Sequence, residues 1–130
     1  MNYRIPAALA LGVLMLSGIA QTHHNMTALF DLNDKVTFTG TFSKMDWRNP
    51  HIQFFVEWKT DKGQMETWSV EGPPPSFFRE RNFSKPDFEG ALGKTVTVEA
   101  SRARDHSPSA LLRVLTLPDG RIISACPQNC

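Results

Sequence analysis

No stretch of this 130-residue chain is apolar for long enough to cross a bilayer as a helix: the run from Ile5 to Leu16 covers twelve residues, where a span takes roughly 20. Cysteine is scarce, with two residues in all, Cys126 and Cys130, both among the last five. That excludes a disulfide framework holding the domain together. Their Cys-x3-Cys spacing also fits neither a zinc ribbon nor a Cys-x-x-Cys redox motif. A glycine-rich phosphate loop and a dinucleotide fingerprint are both missing, which removes the common nucleotide-dependent classes. There are no internal repeats, heptads or low-complexity tracts.

The short apolar run has a different use. Arg4 precedes it, and Gly18-Ile19-Ala20 follows with small residues at the positions a signal peptidase reads, so residues 1–20 are expected to be a cleaved secretory signal. No cysteine stands at the cut, which argues against a lipid anchor. Export predicts a periplasmic protein beginning Gln21-Thr22-His23-His24, with no membrane span after removal of the signal. An oxidising compartment then favours a small local disulfide between Cys126 and Cys130. It would close too short a loop to constrain the unfolded chain much.

Without Arg4 the fourteen basic side chains become thirteen, against thirteen acidic ones, so the exported chain carries no formal net charge. Nucleic acid is therefore not an expected partner, because phosphate binding needs a basic excess. The remaining length suits one domain.

Period-two alternation dominates that domain. Val36, Phe38, Gly40 and Phe42 alternate with threonines, and Ile52, Phe54, Val56 and Trp58 alternate with His51, Gln53, Phe55 and Glu57; both runs read as half-buried strands. Thr60-Asp61-Lys62-Gly63 supplies turn chemistry for a hairpin into Met65–Glu71. Gly72-Pro73-Pro74-Pro75 then breaks the sheet, and Ser76 to Arg81 is the one helical candidate. A loop from Asn82 to Gly93 leads to a strand with Val96, Val98 and Ala100 inward, and Pro118-Asp119-Gly120 joins a last hairpin. The expected fold is all-β and mainly antiparallel: a five- to six-stranded OB-like barrel with one short helix, closed because closure removes exposed edges. A two-layer sandwich is the other arrangement the pattern admits. The expected organisation is an extended segment over residues 21–34, a barrel domain over 35–125 and a Cys-containing tail over 126–130.

Candidate site residues gather near strand ends. Trp47-Arg48-Asn49-Pro50-His51 lies between two strands, where Asn49-Pro50 forces a turn. The imidazole of His51 serves either a ligand or a backbone cap there, and Trp47 either walls a site or packs on the core. Trp68 points inward by alternation and Glu71 ends its strand, as a site carboxylate or as the partner of one of Arg48, Arg79, Arg81, Arg102 and Arg104. The expected ligand site is thus Trp47, Asn49, His51, Trp68 and Glu71, for an unknown small molecule or protein. A metal alternative draws on His23, His24 and His51, since imidazole suits copper and zinc. No metal spacing is present and adjacent histidines on an extended chain face opposite ways, so no cofactor is the primary expectation. A hydrolytic set from Asp105, His106 and Ser107 or Ser109 is the weakest reading, because sequence neighbours on one loop seldom form an ordered triad.

His23-His24 behind a signal, Phe30-Asp31, Gly40, Trp47 with Asn49-Pro50-His51, Trp68 with Val70-Glu71, Gly93 and Arg102 to Asp105 together give a pattern that resembles the small exported bacterial proteins of the domain-of-unknown-function family six-one-five-two. The likeness covers nearly all of the exported chain. Its most specific parts are the double histidine and the Asn-Pro-His element. It implies a periplasmic location and a small β-barrel, with no reaction. Two positions depart from the family pattern: His106 stands where glycine usually follows Asp105, and Arg81-Asn82-Phe83 replaces a Gly-Trp after the helix. Cys126 and Cys130 are an addition. The combined expectation is an exported, non-catalytic binding or accessory protein.

Overall fold

The computed structural model of the chain describes residues 26–125. The expected signal, His23, His24, Cys126 and Cys130 lie outside the described residues. Six strands carry the fold of the described residues: β1 (Phe30–Asp46), β2 (Gln53–Lys59), β3 (Met65–Glu71), β4 (Thr95–Ala103), β5 (Ser109–Thr116) and β6 (Ile122–Ser124). They run in the order β3-β2-β1-β4-β5-β6, and β3 also pairs with β5. That added pairing closes β1, β2, β3, β5 and β4 into a ring of hydrogen bonds, with β6 attached outside it. The β3–β5 pairing is parallel and the other five are antiparallel, so the all-β, mainly antiparallel reading holds.

Closure depends on β1 serving two neighbours. Thr41 pairs with both Glu57 of β2 and Thr95 of β4, so the strand hands over from one partner to the other at this point. Gly40 permits the handover: a Cβ there would run into the Glu57 carbonyl oxygen and come within 2.9 Å of Val56 Cγ1. One residue later the register with β2 slips between Phe42 and Lys44, and the Ser43 hydroxyl, at the slip, donates to the Phe55 carbonyl at 3.1 Å. Such a bulge sharpens strand bending.

The alternation read from sequence sets the core. Val36, Phe38 and Phe42 of β1 are buried with Ile52, Phe54 and Val56, and with Val96, Val98 and Ala100 of β4. The Thr60–Gly63 turn joins β2 to β3 in full register, and its Gly63 takes a positive φ of 80° that a Cβ would disfavour.

Among the described residues there are three short helices where the sequence suggested one: α1 (Met26–Leu29), α2 (Pro75–Arg79) and α3 (Lys85–Glu89). α2 is the predicted segment, opened by Pro75 at its first turn. α3 lies in what the sequence suggested was loop. It is held at its start by Asp87, whose carboxylate accepts from the Ser84 N–H at 2.7 Å and the Ser84 hydroxyl at 2.8 Å. β1 likewise begins at Phe30, inside the segment expected to be merely extended.

Candidate functional site

The two tryptophans expected at one site occupy two separate aromatic clusters. Trp47 packs on Phe78 of α2 and Phe88 of α3, with ring centroids 5.7 and 5.1 Å away. Phe54 meets the same two phenylalanines, so α2 and α3 each contribute a buried ring to the core cluster. Trp68 is buried against Phe38 at 5.2 Å and Trp58 at 5.9 Å, and none of these three rings stacks on the Trp47 cluster. The Trp68 indole N–H donates to Glu66 at 3.0 Å, and the guanidinium of Arg102 sits 5.4 Å from its ring. Both tryptophans are thus packing residues. Asn49 is exposed in the bend before β2, and its peptide bond to Pro50 is cis.

His51 and Glu71 do come together. His51 Nδ1 lies 3.2 Å from the Gly72 carbonyl oxygen and 3.5 Å from Glu71 Oε1. The β2–β3 register produces this: Gln53 pairs with Glu71, and the two flanking segments continue side by side through Gly72 N–H to the Ile52 carbonyl at 2.8 Å. Glu71 therefore has a histidine partner, where the sequence had suggested an arginine. Two of the arginines considered there, Arg102 and Arg104, pair with Asp34 and Asp31 instead. Both neighbours of Nδ1 are acceptors, so that nitrogen carries the proton, and in the neutral ring Nε2 keeps its lone pair.

His51 also borders a cleft of about 680 Å³ on the outer face of β1, β4 and β5. A register slip builds its wall. Phe30 pairs with Ala103 and Lys35 with Ser101, so five steps along β1 are matched by two along β4 and residues 31–34 stand off the ladder. Arg102 and Arg104 pin this bulge through Asp34 at 3.5 Å and Asp31 at 3.6 Å, and Arg104 also donates to the Thr27 carbonyl at 2.8 Å. Met26, Leu32, Pro73, Leu111 and Ala125 supply apolar surface. Its floor holds two buried polar side chains, Ser101 at 0 % exposure and Arg113 at 4 %.

Of the five predicted ligand residues, then, only His51 lines the cleft. Glu71 lines a smaller neighbouring hollow with Arg104 and Asp105. Sequence reasoning missed Lys35, Ser101 and Arg113. The visible signal was an arginine interrupting the apolar run Leu111-Leu112-Arg113-Val114-Leu115.

Asp105 accepts from the backbone and hydroxyl of Ser107 at 3.0 and 2.7 Å. Those bonds hold its carboxyl below the usual carboxylate range. They cap a turn, and no side-chain hydrogen bond joins His106 to Ser107 or Ser109 among the described residues. Among the described residues no group of three or more His, Cys, Asp or Glu side chains converges as a metal site, and no helix is long and apolar enough to cross a membrane.

Comparison with known proteins gives a single finding. The model of a family of unknown function, DUF6152, matches residues 10–112. No curated protein and no solved structure matches the chain.

Proposed function

Because the chain belongs to this family of unknown function, its activity has to be read from its own surfaces, and we propose that it is an exported, periplasmic, non-catalytic binding protein whose ligand occupies the outer cleft. The volume of that cleft carries the reading. About 680 Å³ lies within the roughly 300–1,000 Å³ typical of small-molecule sites, and an apolar lining with a few polar groups is their usual composition. Among the described residues the interior of the ring is packed with buried aromatic side chains.

The test uses the neutral apolar fluorophore N-phenyl-1-naphthylamine. The protein binds one equivalent, and Leu111→Trp, which fills the cleft, abolishes binding while leaving the circular dichroism spectrum unchanged. Absence of binding by the wild type, or equal binding by the folded variant, overturns the reading. Export has its own check: intact mass of periplasmic material starts at Gln21 and is two hydrogens short, for a Cys126–Cys130 disulfide.

One observation favours a second reading, copper or zinc held by His51 with His23 and His24. A carboxylate and a carbonyl on Nδ1 form the outer arrangement that orients metal-binding imidazoles, leaving Nε2 to ligate. Met26, two residues beyond His24, borders the same cleft as His51. Titration calorimetry of the untagged chain from Gln21 with Cu(II) and Zn(II) decides. Sub-micromolar binding of one ion, lost in His51→Ala, supports a metal site; binding indifferent to His51 removes it.

A further inference from the structure

The charged lining of the cleft has one sign. Lys35 and Arg113 border it, with the imidazole of His51, and among the described residues no aspartate or glutamate does. In a chain with fourteen basic and thirteen acidic side chains this is a local segregation. Glu99 pairs with Arg113 from outside the lining at 3.3 Å, and the other carboxylates close by are engaged as well: Asp34 with Arg102, Asp31 with Arg104 and Glu71 beside His51.

Arg113 is the unusual member. A guanidinium has five N–H donors and cannot be neutralised by losing a proton, and burying one is costly unless its donors are met. Its Nε donates to Glu99 Oε1 at 3.3 Å and its Nη1 to the Ser101 hydroxyl at 3.4 Å. The residue itself borders the cleft, and no buried side-chain nitrogen or oxygen among the described residues is left unsatisfied. Lys35 stands beside this group: it pairs in register with Ser101, the residue that receives the Nη1 bond. One exposed ammonium and one largely buried guanidinium therefore flank one hydroxyl at the floor of an apolar cleft.

Resting on the cleft reading above, we propose that the ligand is a single-chain amphipathic anion, with its alkyl part against Leu32, Leu111 and Leu112 and its carboxylate or phosphate head at Arg113 and Lys35. Each part matches what the cleft offers. Apolar walls reward burial of methylene groups, and Arg–oxyanion bonds are about twice as strong as neutral ones. Glu99 and Ser101 hold the guanidinium in place, so less freedom is lost when the anion arrives.

The experiment displaces N-phenyl-1-naphthylamine from the protein at pH 7.5 and low salt with three competitors of equal chain length: dodecanoate, dodecyl phosphate and dodecanol. At least one of the anions displaces the probe about tenfold more tightly than the alcohol, as one charge-assisted hydrogen bond would give, and their ranking tells which head is preferred. Lys35→Gln and Arg113→Gln shrink that advantage and leave dodecanol unchanged. Lys35 is exposed, so its variant keeps the test valid should Arg113→Gln fail to fold. Equal displacement by anions and alcohol, or an advantage untouched by Lys35→Gln, overturns the anion proposal and leaves the cleft reading standing. A probe that binds but yields to none of the three also overturns it, whereas a probe that does not bind defeats both.

Discussion

Arg121 ties the β5–β6 turn to α3, its Nε 2.8 Å from Asp119 Oδ2 and its Nη2 2.8 Å from Asp87 Oδ1. Asp87 also accepts from the backbone and hydroxyl of Ser84. The Ser84 N–H first, then the Arg121 guanidinium, hold its carboxyl at about 2. A folded-state value below the unfolded one stabilises the fold wherever the group is ionised in both states. That contribution is complete above the unfolded Asp value of about 4 and fades as pH falls towards 2.

Asp87→Asn should accordingly cost about 1 kcal/mol near neutral pH, the usual worth of a helix-start cap. The gap to wild type should close between pH 4 and 2. Urea denaturation across that range measures it, and a gap independent of pH would show that ionisation of Asp87 is not what stabilises the turn.

Trp47 and Trp68 belong to different ring clusters, so their losses should add. Trp68→Ala should cost about 3–5 kcal/mol and the partly exposed Trp47→Ala somewhat less. The double variant should match the sum within roughly 0.5 kcal/mol. A larger coupling energy in chemical denaturation would mean that the two clusters pack as one unit.

At Gly40 a single methyl is expected to be costly. The Glu57 carbonyl and Val56 Cγ1 occupy the space a Cβ would need, and both belong to a paired strand that cannot move without breaking the ladder. Gly40→Ala should lose roughly 1–3 kcal/mol as an overpacked core does, whereas Gly93→Ala, with nothing within 4 Å, should lose only what its positive φ of 75° demands. Thermal unfolding of the two variants compares them directly.

Strand identity was legible because alternation reports which side chains share a face: Phe38, Phe54, Trp68 and Val98 were all read inward and all are buried. Turn chemistry was equally plain at Gly63 and Gly120, both with positive φ. Alternation does not say which aromatic meets which, and so nothing local separated Trp68, read inward by alternation, from Trp47 of the Asn49-Pro50 turn. α3 escaped because five residues with a single buried Phe88 show no helical period, although Ser84-Lys85-Pro86-Asp87 carries the polar start signal. The cleft was invisible for a different reason. It exists through a register slip between Phe30 and Lys35, fixed by ion pairs from Arg102 and Arg104 to the bulge, and pairing register across distant strands has no local signature.

The parallel contact between β3 and β5 has a dynamic meaning. It comprises three register pairs, Ser69–Ser109, Val70–Ala110 and Glu71–Leu111, against eight between β1 and β4, and it joins positions forty residues apart. The β1–β4 pairs join positions farther apart still, from 54 residues at Thr41–Thr95 to 73 at Phe30–Ala103, so both closures cost chain entropy, but the seam has only three pairs to offset that cost. It is the most thinly held closure of the ring. Native-state hydrogen exchange should find the amides along the seam opening more readily than those shared by β1 and β4, so that the molecule breathes by parting the ring where fewest bonds span it.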